Sequence, residues 1–164
     1  MERNTLYPVF LKVSNLQILI VGGGNVALEK LTFLLKSSPD AQVELVSTMF
    51  RKETIALASK YNIKMNVSEY NNSYLENKHM VIATTDMVSV NEQVYHDCRA
   101  KNILVNVADN PPFCDFYMGG EDVIPDNIDD LVKNLNEFRK TIKGDFEEKV
   151  ETLNEFTKGL VNKK

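Results

Sequence analysis

The sequence predicts an α/β fold in which a doubly wound parallel sheet is followed by a C-terminal helical module. Three observations predict it. A run at 17–21 that is aliphatic from residue 18 onward leads into three glycines at 22–24, and a helical pattern begins directly behind them. Further short apolar runs recur along the chain with helical spacings between them, as in repeated βαβ units. After residue 125 the apolar period changes to threes and fours, which is typical of long helices.

The elements follow in order from these periods. We expect helices at about 26–37, 51–60 and 86–101, five strands at about 17–21, 42–47, 63–67, 79–84 and 103–107, and one helical turn at 73–75. Asp86 or Ser89 is the expected N-cap of the third helix. Alternation of strand and crossover fills a Rossmann-like sheet strand by strand, so residues 1–118 form one predicted domain.

The last part of the chain forms the second predicted unit, a helical module over residues 119–164. Its apolar stripe runs from Leu131 to Leu160, and Asp126 and Asn127 are expected caps. Such a stripe is buried against the sheet domain or a partner subunit, which favours a homodimer.

The composition of the chain excludes several classes of partner and site. The 164 residues carry a net charge of −4 without a basic stripe, which argues against a nucleic-acid partner. No apolar run is long enough to cross a bilayer and no signal-peptide core is present, so we expect a cytoplasmic protein without membrane contact. Cys98 and Cys114 are too few for a disulfide framework, and the two isolated histidines predict no metal site.

The glycine turn reads Gly22-x-Gly24-x-x-Ala27 and is the candidate cofactor site. Gly22 permits a sharp exit from the strand, Gly24 lets a diphosphate approach bare backbone, and Ala27 lets the helix lie close to the sheet. The helix dipole adds to the attraction for phosphate. The alternative is a glycine-rich turn that binds no nucleotide.

The end of the second strand decides between the two nicotinamide dinucleotides. An acid there would bond the adenosine ribose, but residues 46–49 contain none. The hydroxyls of Ser47 and Thr48 are candidate ribose partners, whereas Arg51 and Lys52 are candidates for a 2′-phosphate. These residues leave NAD and NADP nearly even.

Two further segments end on the same edge of the predicted sheet. Thr84 and Thr85 follow the fourth strand and are expected to line the nicotinamide half of the cleft. Asp109 follows the fifth strand, where a carboxylate is either a proton acceptor beside a hydride acceptor or a turn-forming residue before Asn-Pro-Pro.

Five segments stand together in the order found in one family. They are Tyr-Pro-Val-Phe-Leu at 7–11, Val-Gly-Gly-Gly-Asn-Val-Ala at 21–27, Ala-Thr-Thr-Asp at 83–86 with Asn91, Val-Asn-Val-Ala-Asp at 105–109 and Cys-Asp-Phe at 114–116. The combination covers about residues 5–118. It resembles precorrin-2 dehydrogenase, the sirohydrochlorin-forming module of siroheme synthases.

The resemblance implies oxidation of the tetrapyrrole precorrin-2 to sirohydrochlorin with NAD⁺ as hydride acceptor, and in some members insertion of ferrous iron, a lyase activity. By position it assigns cofactor contacts to Asn25, Val26, Thr48 and Met49, beside the glycines Gly22, Gly23 and Gly24. It also matches Asp109 to the catalytic aspartate and favours NAD over NADP.

One departure from the family follows Gly120. Family members continue with a strand pair and a Ser/Gly/Lys-rich loop that build the dimer and part of the tetrapyrrole pocket, whereas this chain passes directly to a segment resembling the later helical region. A natural deletion, an engineered one and an omission from the sequence each explain the departure. The alternative function is therefore a non-catalytic NAD-binding sensor or regulatory module. A short-chain reductase is the weaker alternative, because a Tyr-x-x-x-Lys pair is missing.

Overall fold

The computed structural model describes residue 7, residues 9–108 and residues 110–118. The described residues from Leu11 to Met118 belong to one compact unit, and the fold described below is that of this unit. The predicted helical module at 119–164 and its caps lie outside the described residues. In the described part of the chain, no helix combines the length and apolar character required to cross a membrane.

Five parallel strands form one sheet, which confirms the predicted fold class. The strands are β1 (Gln17–Val21), β2 (Gln42–Ser47), β3 (Lys64–Val67), β4 (Met80–Ala83) and β5 (Leu104–Val107), in the spatial order β3-β2-β1-β4-β5. The order reverses at β1, which pairs with β2 on one side and β4 on the other. Such a reversal is where α/β sheets bind ligands, beyond the carboxyl ends of their strands.

Three helices connect the strands: α1 (Asn25–Ser37), α2 (Lys52–Lys60) and α3 (Val88–Lys101). A short 3₁₀ helix, Asn72–Leu75, stands between β3 and β4 where a fourth crossover helix would otherwise lie, in agreement with the single helical turn expected there. The predicted N-cap of α3 is wrong. Met87 occupies that position without a side-chain cap, since the preceding turn is held by other contacts described below.

The core lies on both faces of the sheet. Successive strand residues point to opposite faces, so Ile18 and Ile20 pack with Leu31 of α1 on one side, and Leu19 packs with Val94 of α3 on the other. A sheet covered on both faces requires strands that are apolar throughout, which explains the unbroken aliphatic run of β1.

Candidate cofactor-binding site

The turn after β1 requires glycine at position 22. Gly22 has φ of +129°, and a Cβ there would lie 2.4 Å from Thr84 Oγ1. Thr84 cannot easily withdraw, because its amide and its hydroxyl both donate to the carbonyl oxygen of Val21, at 2.8 and 2.9 Å. Backbone conformation and close packing therefore both exclude a side chain at Gly22.

Gly23 is packed against the loop that follows β2. A Cβ there would lie 2.2 Å from the Met49 carbonyl oxygen. The Gly23 carbonyl accepts from the Arg51 amide at 3.0 Å and from the buried Thr54 hydroxyl at 3.3 Å. The middle glycine thus joins the turn to the β2–α2 loop.

Gly24 has open space around it. A Cβ at this position would meet no atom within 4 Å. Gly24 is the N-cap of α1 in extended conformation and supplies no side-chain acceptor to the first turn. Because the first N–H groups of a helix lack intrahelical acceptors, this end of α1 offers donors and a positive dipole end to an anion. Ala27 is fully buried, as the predicted helix-to-sheet contact requires.

The loop after β2 is shaped by Ser47. The Ser47 hydroxyl donates to the Met49 carbonyl at 2.8 Å. The hydroxyl that was predicted to bond the ribose is therefore already hydrogen-bonded within the loop. Thr48 and Met49 are exposed, with 79% of Met49 accessible. The Arg51 guanidinium donates to the Asn25 side-chain oxygen and pairs with Glu53 at 3.3 Å.

The loop after β4 is held by Asn91, which is buried. The side-chain NH₂ of Asn91 donates to the Thr85 carbonyl at 2.9 Å. The side-chain oxygen of Asn91 accepts from the Thr85 hydroxyl at 2.7 Å and from the Thr85 backbone amide at 3.2 Å. This network fixes the start of α3 without a capping side chain.

One cleft of about 930 Å³ lies beyond the carboxyl ends of the strands. Its size falls within the usual range for ligand sites. The structure brings together along it all nine residues predicted to contact the cofactor: Gly22, Gly23, Gly24, Asn25, Val26, Thr48, Met49, Thr84 and Thr85. Their contact with a cofactor stays a prediction.

Sequence reasoning missed part of the lining. Glu69 and Tyr70 follow β3, and Met87, Val90 and Gln93 come from the start of α3. The signal for the first two was their position directly after a parallel strand, because all such strand ends share one edge of the sheet.

Asp109 lies outside the described residues, but its two neighbours are placed. The Ala108 amide donates to the Ala83 carbonyl at 2.9 Å, and the Asn110 amide donates to the Val107 carbonyl at 3.2 Å. Ala108 and Asn110 line a second cavity of about 60 Å³, and Val26 lines both cavities. The residues on either side of Asp109 therefore line a cavity that shares Val26 with the main cleft.

Comparison with known protein families shows the family to which the chain belongs. Residues 9–120 match a family model described as "Putative NAD(P)-binding". The chain belongs to this NAD(P)-binding family. Family membership confirms the prediction of a nicotinamide dinucleotide as cofactor.

Relatives of this NAD(P)-binding chain are siroheme synthases, in agreement with the resemblance. That of Pseudoalteromonas translucida (strain TAC 125) is 41% identical over 109 residues, which cover 66% of this chain and 23% of the relative. That of Psychrobacter sp. (strain PRwf-1) is 39% identical over 110 residues, covering 67% and 22%. The chain thus spans less than a quarter of the length of these relatives.

Two further comparisons extend the match. The siroheme synthase of Pseudoalteromonas atlantica (strain T6c / ATCC BAA-1087) is 30% identical over 168 residues, which cover 85% of this chain and 36% of the relative. The alignment has more positions than the chain has residues, so the relative contains residues within the aligned region that have no counterpart in this chain. The solved structure of SirC, precorrin-2 dehydrogenase, superposes with a TM-score of 0.55 at 22% identity, covering 73% of this chain and 55% of that one, and agrees with the fold.

Proposed function

We propose that the chain is an NAD-dependent precorrin-2 dehydrogenase that forms sirohydrochlorin in siroheme biosynthesis. The observation that carries the proposal is the open cleft at the reversal of strand order, which is lined by a bare glycine turn in a chain of the NAD(P)-binding family. The relatives named siroheme synthase and the fold shared with SirC supply the substrate class.

The described residues suit a dinucleotide. Open space at Gly24 and the uncapped start of α1 suit a diphosphate, because backbone N–H groups and the helix dipole both favour an anion there. The exposed side chains of Met49 and Met87, 79% and 58% accessible, offer apolar surface to the adenosine or nicotinamide parts. When bound, NAD⁺ supplies the hydride acceptor for the oxidation.

Asp109 is the proposed general base. Dehydrogenation removes a hydride and a proton from the substrate, and an ionised carboxylate can take the proton. The support is the match of residues 105–109 to the family motif, together with the small cavity that the neighbours Ala108 and Asn110 line and that shares Val26 with the main cleft.

The test is turnover of precorrin-2 with NAD⁺, followed by NADH fluorescence. We expect the wild-type chain to produce NADH. Asp109→Asn should reduce the rate by about 10²–10⁴-fold while leaving NAD⁺ affinity within about twofold, because the amide keeps the shape but accepts no proton. Asp40→Asn, which removes an exposed carboxylate that does not line the cleft, is the control and should retain most of the rate.

Three outcomes separate the alternatives. A fully active Asp109→Asn variant contradicts the assignment of the base. A wild-type chain that binds NAD⁺ without turnover supports the sensor or regulatory module instead, and one that binds no dinucleotide contradicts the proposal altogether.

The remaining predictions concern the whole protein. A homodimer, ferrous iron as a second substrate and a cytoplasmic location stay predictions from the sequence and the resemblance. The first depends on residues 119–164, which lie outside the described part of the chain.

A further inference from the structure

The carboxylate expected near the adenosine ribose is missing from the end of β2 but present on the neighbouring strand. Of the described residues that line the cleft, two are acidic, Glu69 and Asp86. Asp86 follows β4, on the side of β1 away from β2. Glu69 follows β3, which pairs with β2, so it stands on the side where the end of β2 meets the adenosine in this class of fold.

The ends of β2 and β3 are held together beyond their last paired residues. Ser47 pairs with Val67, and the next amide, that of Ser68, donates to the Ser47 carbonyl at 3.0 Å. Adjacent strands lie about 4.8 Å apart, so the residue after Ser68 is within side-chain reach of a ribose at the end of β2.

Both neighbours of Glu69 are anchored while its own side chain is available. The Ser68 hydroxyl donates to the Glu69 carbonyl at 3.0 Å and hydrogen-bonds the Tyr74 hydroxyl at 2.6 Å. The Tyr70 hydroxyl donates to Asp97 at 3.1 Å. The Glu69 side chain is exposed and forms no hydrogen bond or ion pair with the described part of the chain.

The main cation near the same place is already engaged. Arg51, one of two basic residues among the described residues lining the cleft, contacts Asn25 and pairs with Glu53. To pair with Arg51, a 2′-phosphate would have to draw the guanidinium away from these partners. The phosphate would also be repelled by the negative charge of Glu69. Lys52, the other basic residue, forms no hydrogen bond or ion pair with the described residues, so only the repulsion from Glu69 would oppose a 2′-phosphate beside it.

We propose that Glu69 is the specificity-determining residue that makes this chain prefer NAD⁺ to NADP⁺. Its carboxylate accepts hydrogen bonds from the adenosine ribose hydroxyls and repels a 2′-phosphate at the same position. The assignment rests on the proposed dinucleotide site, because it names the discriminating group within that cleft.

The experiment is calorimetric titration of the full chain with NAD⁺ and with NADP⁺. Wild-type protein should bind NAD⁺ at least about tenfold more tightly, since hydrogen bonds to a charged group exceed neutral ones. Glu69→Gln should weaken NAD⁺ and strengthen NADP⁺, so that the preference falls about tenfold or more. Glu76→Gln removes an exposed charge that does not line the cleft and should keep the wild-type preference.

Thermal unfolding of each variant checks that the substitutions leave the fold intact. An unchanged preference in Glu69→Gln, or a wild-type preference for NADP⁺, overturns the role of Glu69 while leaving the dinucleotide site in place. A wild-type chain that binds neither nucleotide overturns the site itself. If the preference shifts as expected but precorrin-2 is not oxidised, Glu69 keeps its role and the proposed reaction alone fails.

Discussion

The three glycines after β1 meet three different surroundings. Added Cβ atoms at Gly22 and Gly23 would collide with Thr84 and with the backbone of Met49, whereas one at Gly24 would meet open space. The first two glycines are therefore needed for folding. At Gly24 a side chain would contact no protein atom, so it would interfere only with a ligand bound in that space.

This difference predicts that alanine at position 23 affects mainly the stability of the fold, whereas alanine at position 24 affects mainly NAD⁺ binding. Gly23→Ala should destabilise the protein by about 1–3 kcal/mol, because the backbone around Met49 must shift. Gly24→Ala should cost at most about 1 kcal/mol, because the site is open and only the N-cap preference for glycine over alanine is lost, but it should weaken NAD⁺ binding about tenfold or more. Urea unfolding and NAD⁺ titration of both variants check this. Unchanged NAD⁺ affinity in Gly24→Ala would place the diphosphate elsewhere.

The two cysteines are free, and burial suppresses their reactivity. Burial raises the pKa of Cys98 to about 12, with added repulsion from Asp97 and Asp115. The pKa of Cys114 is also raised, mainly by burial, although its hydrogen bond to Val107 acts in the opposite direction. Both thiols are therefore protonated at neutral pH.

We expect both thiols of the native chain to react slowly with a thiol-specific disulfide reagent at about pH 8, because the attacking species is the thiolate. Unfolding in urea should release two rapidly reacting thiols, which provides the internal control. A thiol that reacts as fast in native as in unfolded protein would show that the packing around it is different.

At the scale of elements, a charged cluster ties β2 and β3 to the turn before β4. Glu44 accepts from Lys64 at 2.6 Å, from Lys78 at 2.7 Å and from Asn66 at 2.8 Å. Burial by itself raises the pKa of Glu44, but these hydrogen bonds outweigh it and lower the pKa to about 2.

The lowered pKa gives a stability term with a defined sign. The ordinary pKa of the carboxyl is 4.5, so the ionised form stabilises the fold fully above about pH 4.5, and this contribution is lost as the pH falls toward 2. Glu44→Gln should cost about 1–3 kcal/mol at pH 7, less than a fully buried pair because Lys64 is largely exposed.

Urea unfolding of wild type and Glu44→Gln from pH 7 to pH 2 measures this term, and the difference between them should shrink as the pH falls. Glu92→Gln, on the exposed face of α3, serves as the control and should change stability by less than about 0.5 kcal/mol. A constant difference across the range would contradict the electrostatic origin.

The sequence predicted most elements because their periods are set by burial. Strand β2 was placed at its observed residues, and α1 and α2 within one residue, since apolar runs and helical stripes follow directly from packing on the sheet. The start of α3 was misjudged because its turn is held by the contact between Thr85 and Asn91, six residues apart, rather than by a local cap. The ends of α2 and α3 are marked by Asn62 and Asn102 at positive φ, and asparagine after a helical stripe is a local signal of such an end.

Site residues were predictable where the chemistry is local and were missed where the topology supplies them. The glycine turn is a local motif. The approach of Glu69 to the end of β2 depends on β3 lying beside β2, and the engagement of the Ser47 hydroxyl by Met49 depends on the conformation of the loop. Such contacts follow from pairing order and backbone path, which a single sequence does not specify.

On the scale of the whole molecule, the proposed cofactor site lies along one edge of the sheet. Val21, Val46, Ala83 and Val107 are level in the strand register, so the loops that follow β1, β2, β4 and β5 emerge together. A dinucleotide held at the turn after β1 would have its adenosine toward β2 and its nicotinamide toward β4, beside the loop after β5 that carries Asp109.

Amide chemical shifts of ¹⁵N-labelled protein during titration with NAD⁺ test this placement most directly. We expect saturable shifts concentrated at Gly24, Asn25, Val26 and Thr48, with little change at Gln17 and Gln42 on the opposite edge of the sheet. Saturable shifts centred away from the glycine turn, or no saturable shifts at all, would contradict it.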